Sequence, residues 1–587
     1  MPEPSQAGPP ENTRPPVPTL IAAIAIVVGI VLRVVEFARN RPLWLDEAML
    51  SLNIASRSFV QLARPLDYDQ SAPVAYLWLE RLAVNIGGVN ELSLRALPFL
   101  AGLALVPLVW LVARRLAGAT TATLAVVLAA LSLSLIAFSA EAKQYGVDPL
   151  VTALVAWFAV RVANVPGDHR RWLRLVAVGV AGLLLSQPAV FALGGAGVAL
   201  ALHPAVRRDA TARRYAALAT IAWGVTFGVL YLSLYGATAH SAYMRSFWES
   251  TFLDPRTPDI IQRVRLFAIA AYTAPTLTGQ MAGLEWAMAI TWAAGLWTLW
   301  HRRRFAAVMV AAPLFLAALA CAVGRYAVMD RLFLFAAPLT MIAYASLVAW
   351  VVELVPPRAA VATLAAACVA LALTAAPTLV RRIAHPVFYA VGTEVIAQVD
   401  AMSYKREPVY VAARSFPLWV FYTTDWSAPD EARLRWAATV ARAGGPAHNN
   451  APSRGRARPE EARDLTRSYR GRIELVGTPT GRQYRTSTRT LNPSLTPAQY
   501  AVPLEPDTGW AELEVGRMAS VAHNRLWVFG SHMFALDGAE PALVGEMQRR
   551  GVRLIVERRQ GSTVGYEVEF PGNPCPSCAA RSAISTR

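Results

Sequence analysis

Long stretches without a single charge constrain this chain more than any other feature. Residues 96–112, 119–140, 216–239, 332–352 and 359–380 contain no Asp, Glu, Lys or Arg, and 19–35 contains only Arg33. A helix rises about 1.5 Å per residue, so runs of about 17–25 apolar residues match the hydrocarbon layer of a bilayer. Backbone groups inside that layer must be satisfied within the segment, which makes such runs helical. Of 587 residues, 55% are hydrophobic and 16% charged, too apolar a balance for an ordinary soluble domain. The expectation is a mostly α, polytopic membrane protein.

In a soluble protein the net charge of +17 would raise nucleic acid as a partner. Its distribution points instead to membrane lipids. Arg114-Arg115, Arg170-Arg171, Arg207-Arg208, Arg213-Arg214, His301-Arg302-Arg303-Arg304 and Arg358 occupy short loops between apolar runs, where basic residues mark the cytoplasmic side. Residues 1–18 are polar and Pro-rich and read as a disordered cytoplasmic tail, without the basic start and cleavage site of a secretory signal. Keeping the basic loops inside requires 175–202 to form a hairpin of short helices turning at Ser186-Gln187-Pro188. It also requires 266–283 to be interfacial or re-entrant, with only 284–300 spanning. The sum is about eleven transmembrane helices in a plasma (inner) membrane, with the N-terminus cytoplasmic and the C-terminal region extracytoplasmic.

The membrane domain runs over 19–382, after which the pattern changes. Residues 383–570 alternate strand-like segments, such as 408–412 and 553–556, with helix-like ones such as 540–550, as in a soluble α/β domain. Within it, 442–493 is rich in Arg, Gly, Ser, Thr and Pro and reads as surface loops, and 571–587 reads as a disordered tail. Gly530-Ser531-His532 lacks the second glycine and the distant His of a serine-hydrolase nucleophile elbow. Cys575 and Cys578 have CxxC spacing in a Pro-rich tail, where a local disulfide outweighs redox catalysis or zinc.

Against this background Trp44-Leu45-Asp46-Glu47 stands out, because two adjacent carboxylates follow the first apolar run. A carboxylate beside hydrocarbon is costly unless it pairs, coordinates or reacts. The plainer reading is the acidic start of an interfacial helix. On the same side by the loop-charge rule lie Asp67, Asp69, Gln70, Ser71 and Pro73, Glu91 with Arg95, Glu141-Ala142-Lys143-Gln144-Tyr145, and Gly324-Arg325-Tyr326 leading to Asp330-Arg331. Carboxylates and cations converging on one level of the membrane suit an anionic, lipid-linked substrate. Several of these have plainer roles: Arg95 and Arg331 as snorkelling ends of spans, Glu141 and Lys143 as a helix-end pair, Tyr145 as an interfacial anchor.

The ordered set Leu45-Asp46-Glu47, Pro73 with Tyr76, Glu91 with Arg95, Glu141 to Tyr145, and Arg325-Tyr326 resembles the family 39 glycosyltransferases, the group of the protein O-mannosyltransferases and the aminoarabinose-to-lipid A transferases. The resemblance covers 19–382. Two positions depart from it: Ala72-Pro73 replaces the usual paired prolines, and Lys143 replaces the usual Arg, keeping the charge but losing bidentate geometry.

The resemblance implies a GT-C fold glycosyltransferase that moves a sugar from a polyprenyl-phosphate donor to a lipid, glycan or protein acceptor on the outer face. Such a reaction needs a base for the acceptor hydroxyl and cations for the departing phosphate. Asp46 is the expected base, with Glu47 orienting acceptor or sugar. Lys143, Arg325 and Arg331 are expected phosphate partners, and Glu141, Tyr145, Arg95 and Asp69 are expected to line the substrate site. Direct attack would invert the anomeric centre. No cofactor is called for, although clustered carboxylates suit a divalent metal. The rival reading is a proton-coupled transporter, against which stand the absence of an internal repeat and the position of the charges at the rim.

Overall fold

The computed structural model describes residues 17–236, most of 248–273, 285–384, and in the C-terminal region 392–403, 407–412, 415–427, 466–469, 472–477, 508–522, 524–531, 539–560 and 563–571. The N-terminal tail, most of the 442–493 stretch, Cys575 and Cys578 lie outside the described residues.

The apolar runs fold as helices: α1 (Val17–Ala38), α2 (Leu45–Ser56), α3 (Phe59–Leu62), α4 (Val74–Gly87), α5 (Ala96–Ala117), α6 (Ala119–Leu131), α7 (Leu133–Phe138), α8 (Asp148–Asn164), α9 (His169–Leu185), α10 (Ala189–Leu202), α11 (Pro204–Arg208) and α12 (Ala210–Leu230). Helices Glu285–Arg302, Arg304–Ala322, Ala337–Leu354 and Pro357–Ala384 follow. Among the described residues, seven helical segments are long and apolar enough to cross a membrane: Val17–Ala38, Ser93–Ala117, Gln144–Asn164, Ala210–Tyr235, Arg304–Ala322, Asp330–Leu354 and Arg358–Ala384. Ala119–Leu131 and Ala189–Leu202 are shorter apolar helices. The chain is therefore a multi-pass membrane protein. Helices α9 and α10 break at Ser186-Gln187-Pro188, where Pro188 withholds the amide that a continuous helix would need.

Small residues let the helices approach closely. A Cβ at Gly29 of α1 would stand 3.0 Å from the Ala130 backbone of α6, so any larger residue would crowd this crossing. At the same crossing Arg33, the lone charge of the first apolar run, is fully buried. Its guanidinium donates to Gly29 O at 2.9 Å and Ala129 O at 3.0 Å, which replaces lost water with carbonyl oxygens.

The C-terminal region is an α/β domain built on a six-stranded sheet of order β2-β3-β1-β4-β6-β5. The strands are β1 (Val409–Val411), β2 (Thr466–Tyr469), β3 (Arg472–Val476), β4 (Arg525–Gly530), β5 (Arg553–Gln560) and β6 (Thr563–Glu569). Parallel pairing of β1 with β3 and β4 occupies the centre, and antiparallel pairs form both flanks. The buried Val-Tyr-Val of β1 fits that position, since central parallel strands are covered on both faces. Strands β2 and β3 fall inside 442–493, which the composition assigns to loops. The short alternation around Ile473 and Leu475 outweighs the surrounding Arg, Gly and Thr, and Leu475 is buried. Ser531, at the end of β4, is buried and its amide donates to Ser415 Oγ at 2.6 Å, a clasp within the domain.

Candidate active site

Helix α2 opens with Leu45, so Asp46 and Glu47 lie in its first turn, where unpaired backbone amides and the helix dipole favour negative charge. The two carboxylates then diverge. Glu47 turns inward and is completely buried, whereas the Asp46 side chain keeps 23% of its exposure.

Both Glu47 oxygens are taken. Arg95 donates from Nε to Oε1 at 2.9 Å and from Nη2 to Oε2 at 2.8 Å, a bidentate pair. The amides of Ala142 and Trp44 add bonds of 2.7 and 3.2 Å. Burial would push the Glu47 carboxyl up, but the Arg95 guanidinium outweighs it and holds the group below the usual range. Arg95 also donates to the Arg41 carbonyl at 2.5 Å and the Pro42 carbonyl at 3.4 Å. Glu47 and Arg95 are thus spent on holding the 41–47 and 142 segments together. Glu47 and Arg95, expected to orient an acceptor and to touch substrate, are here bonded to each other and to the loop backbone.

Asp46 faces two cations, with Lys143 Nζ 3.2 Å from Oδ1 and Arg331 Nη1 3.9 Å from Oδ2. Lys143 also donates to Gln70 Oε1 at 2.6 Å, and the Gln70 amide donates to Asp46 Oδ1 at 3.4 Å. Gln70 reaches this position from a turn in which Tyr68 adopts φ 61°, unusual for a residue with a Cβ. Lys143 and Tyr145 come from the non-α stretch between α7 and α8, where Lys143 is extended. Tyr145 lies under the Arg331 guanidinium at 5.6 Å and Trp44 at 5.8 Å, so two aromatic faces position that cation.

The electrostatics follow from burial and charge. Burial would raise the Asp46 carboxyl, but Lys143 and Arg331 outweigh it and keep it ionised. Burial lowers the Lys143 ammonium, with Asp46 opposing. Glu141 is pushed up to about 7, first by burial and then by the neighbouring Glu47. It accepts a hydrogen bond from Trp44 Nε1 at 3.3 Å.

Asp46, Glu141, Lys143, Tyr145 and Arg331 therefore converge. Arg325 does not: it is exposed at the turn made by Gly324, whose φ is 66°. Its place directly after Gly324 gave it weight in the sequence, whereas it is Arg331, near the start of the helical segment Asp330–Ala336, that pairs with Asp46. The Asp69 side chain lies outside the described residues. Sequence reasoning gave Trp44 and Gln70 no site role, although Trp44 adjoins the acidic pair and Gln70 the acidic first loop. Among the described residues no three His, Cys, Asp or Glu side chains are grouped so as to hold a metal ion.

Residues 71–232 match the family model described as dolichyl-phosphate-mannose-protein mannosyltransferase. The family resemblance read from the sequence is borne out. The matched segment contains Glu141, Lys143 and Tyr145, and leaves Asp46 and Arg331 on either side. No curated protein matches the sequence. Among solved structures, ArnT from Cupriavidus metallidurans in the apo state aligns over 94% of this chain and 97% of its own, at 13% identity and TM-score 0.49. The same protein bound to undecaprenyl phosphate aligns with equal coverage at TM-score 0.48. The Archaeoglobus fulgidus oligosaccharyltransferase complex with Zn and sulfate aligns over 93% of this chain and 72% of its own, at 12% identity and TM-score 0.47.

Proposed function

We propose that this chain is a membrane glycosyltransferase that takes a sugar from a polyprenyl-phosphate donor and transfers it to an acceptor hydroxyl at the extracytoplasmic surface. The observation that carries the reading is the partly open Asp46 carboxylate between Lys143 and Arg331. Two cations at one partly open carboxylate offer the charged donors that a lipid phosphate would engage.

In this reading Lys143 and Arg331 turn to the donor phosphate, and Asp46 is released from its ion pair to act as base. The acceptor oxygen bonds to the anomeric carbon as Asp46 takes its proton. The bond from that carbon to the phosphate oxygen breaks, and its electron pair leaves with the lipid phosphate, whose charge the two cations stabilise. A single displacement inverts the anomeric centre. Glu141 and Tyr145 shape the pocket.

The test is consumption of synthetic polyprenyl-phosphate sugars by the purified full chain. Release of polyprenyl phosphate that depends on acceptor supports the reading. No consumption across a panel of donors, by protein that still binds undecaprenyl phosphate, counts against it.

A further inference from the structure

The C-terminal domain bonds to the segment before Asp46 through the Tyr422 side chain. Tyr422, on the helix Phe416–Thr423, accepts a hydrogen bond from the Leu43 amide at 2.7 Å and donates to Glu91 Oε1 at 3.0 Å. Leu43 is completely buried three residues before Asp46, so its N–H requires a protein partner, and the Tyr422 hydroxyl supplies it.

The loop is held on its other side by Arg95, through the carbonyls of Arg41 and Pro42 and through Glu47. Arg41 and Trp44 anchor it further, Arg41 by donating to the Ala137 and Ala140 carbonyls and Trp44 by donating to Glu141, and on the Tyr422 side it borders open space. A cavity of about 530 Å³ lies there, lined by Asn40, Pro42 and Glu91 from the membrane domain and by Asp400 and Tyr422 from the soluble domain. That space gives the Leu43 segment room to shift when the Tyr422 hydroxyl is removed.

We propose that Tyr422 is a positioning residue for Asp46, through which the soluble domain fixes where the catalytic segment stands. The inference rests on the reading of Asp46 as base. Glu91 and Arg95, four residues apart, then act on the same loop: Arg95 grips it directly, and Glu91 orients the phenol that grips it from outside.

The experiment uses the full chain in lipid nanodiscs and Tyr422→Phe, which keeps the ring and removes the hydroxyl. Hydrogen exchange over 40–47 should accelerate while exchange in α5 and α8 stays at the wild-type rate. The kcat on a polyprenyl-phosphate sugar that wild type consumes should fall about 10- to 100-fold, as expected for a base displaced by about 1 Å. Affinity for undecaprenyl phosphate should stay within about twofold, since Lys143 and Arg331 are untouched. Glu91→Gln, which keeps an oxygen facing the phenol, should lose less than Glu91→Leu. Combining Tyr422→Phe with Glu91→Leu should add little to either.

Unchanged kcat in Tyr422→Phe overturns the proposal, and so does a loss of kcat with exchange over 40–47 unchanged. Exchange is read without substrate. A wild-type protein that consumes no donor therefore sinks the glycosyltransferase reading, while the tether to Leu43 is still decided by the exchange of Tyr422→Phe.

Discussion

Asp46 differs from Glu47 in one respect that decides its chemistry: it retains an open edge. Asn at position 46 keeps the shape and the bond from Gln70 but accepts no proton. Asp46→Asn should cut transfer by about 10²- to 10⁴-fold at normal expression and membrane insertion. The cations make a second test. Arg331→Ala should slow turnover by about 10²- to 10³-fold and Lys143→Ala similarly, whereas Arg325→Ala should stay near wild type. Lys143→Arg should keep most activity, because charge is retained. Turnover and undecaprenyl phosphate affinity for the set would check this. Glu141 supplies a third. It holds its proton up to about pH 7 in the fold against 4.5 in the unfolded chain, so between those values the folded state carries the extra proton. Stability from this group is complete below about 4.5 and is lost as pH rises through about 7. Glu141→Gln should flatten that part of the dependence of Tm on pH.

At the scale of elements, the site depends on how helix ends are clamped. The Arg95–Glu47 pair joins the start of α5 to the start of α2, with both side chains about 2% exposed or less. Arg95→Met leaves a buried carboxylate without its counter-charge and should cost about 3–5 kcal/mol, read as reduced Tm and loss of monodisperse protein. Arg95→Lys should recover only part, because an ammonium cannot meet two carboxylate oxygens at once. The sequence made the helices legible, since charge-free runs of this length have few alternatives. It made Asp46, Lys143 and Arg331 legible because charges at the rim of apolar runs demand a reason. It could not show that Glu47 and Arg95 bind each other, because in one dimension they look the same as residues that face a substrate. Only packing tells an inward carboxylate from an outward one. Tyr422 was illegible for a related cause: some 330 residues separate it from Glu91, and its segment Phe416–Thr423 reads as ordinary core.

For the whole molecule, the prediction concerns which way the chain threads. In a background without native cysteines, a cysteine at the exposed position 325 should label from outside intact cells, and one at the exposed position 167 should not. The opposite pattern would place the cluster on the cytoplasmic side and change which pool of donor it meets. The soluble domain belongs to the same end as position 46 through Tyr422, so its exposed surface should share the labelling of position 325.

The buried Arg33 sets an order on how the protein is made. Half of its satisfaction lies within α1, at Gly29, and half lies 96 residues later, at Ala129. At about 5–20 residues per second the ribosome needs on the order of 5–20 s to bring that carbonyl out. During that interval α1 presents to lipid a guanidinium satisfied only by its own helix, a costly state within the apolar layer. The first span should therefore linger beside the insertion machinery until α6 emerges. A nascent chain stalled before residue 129 should crosslink to that machinery through α1, and Arg33→Leu should release it early. A single side chain would then act as a timer, coupling departure of the first helix to arrival of the one that completes it.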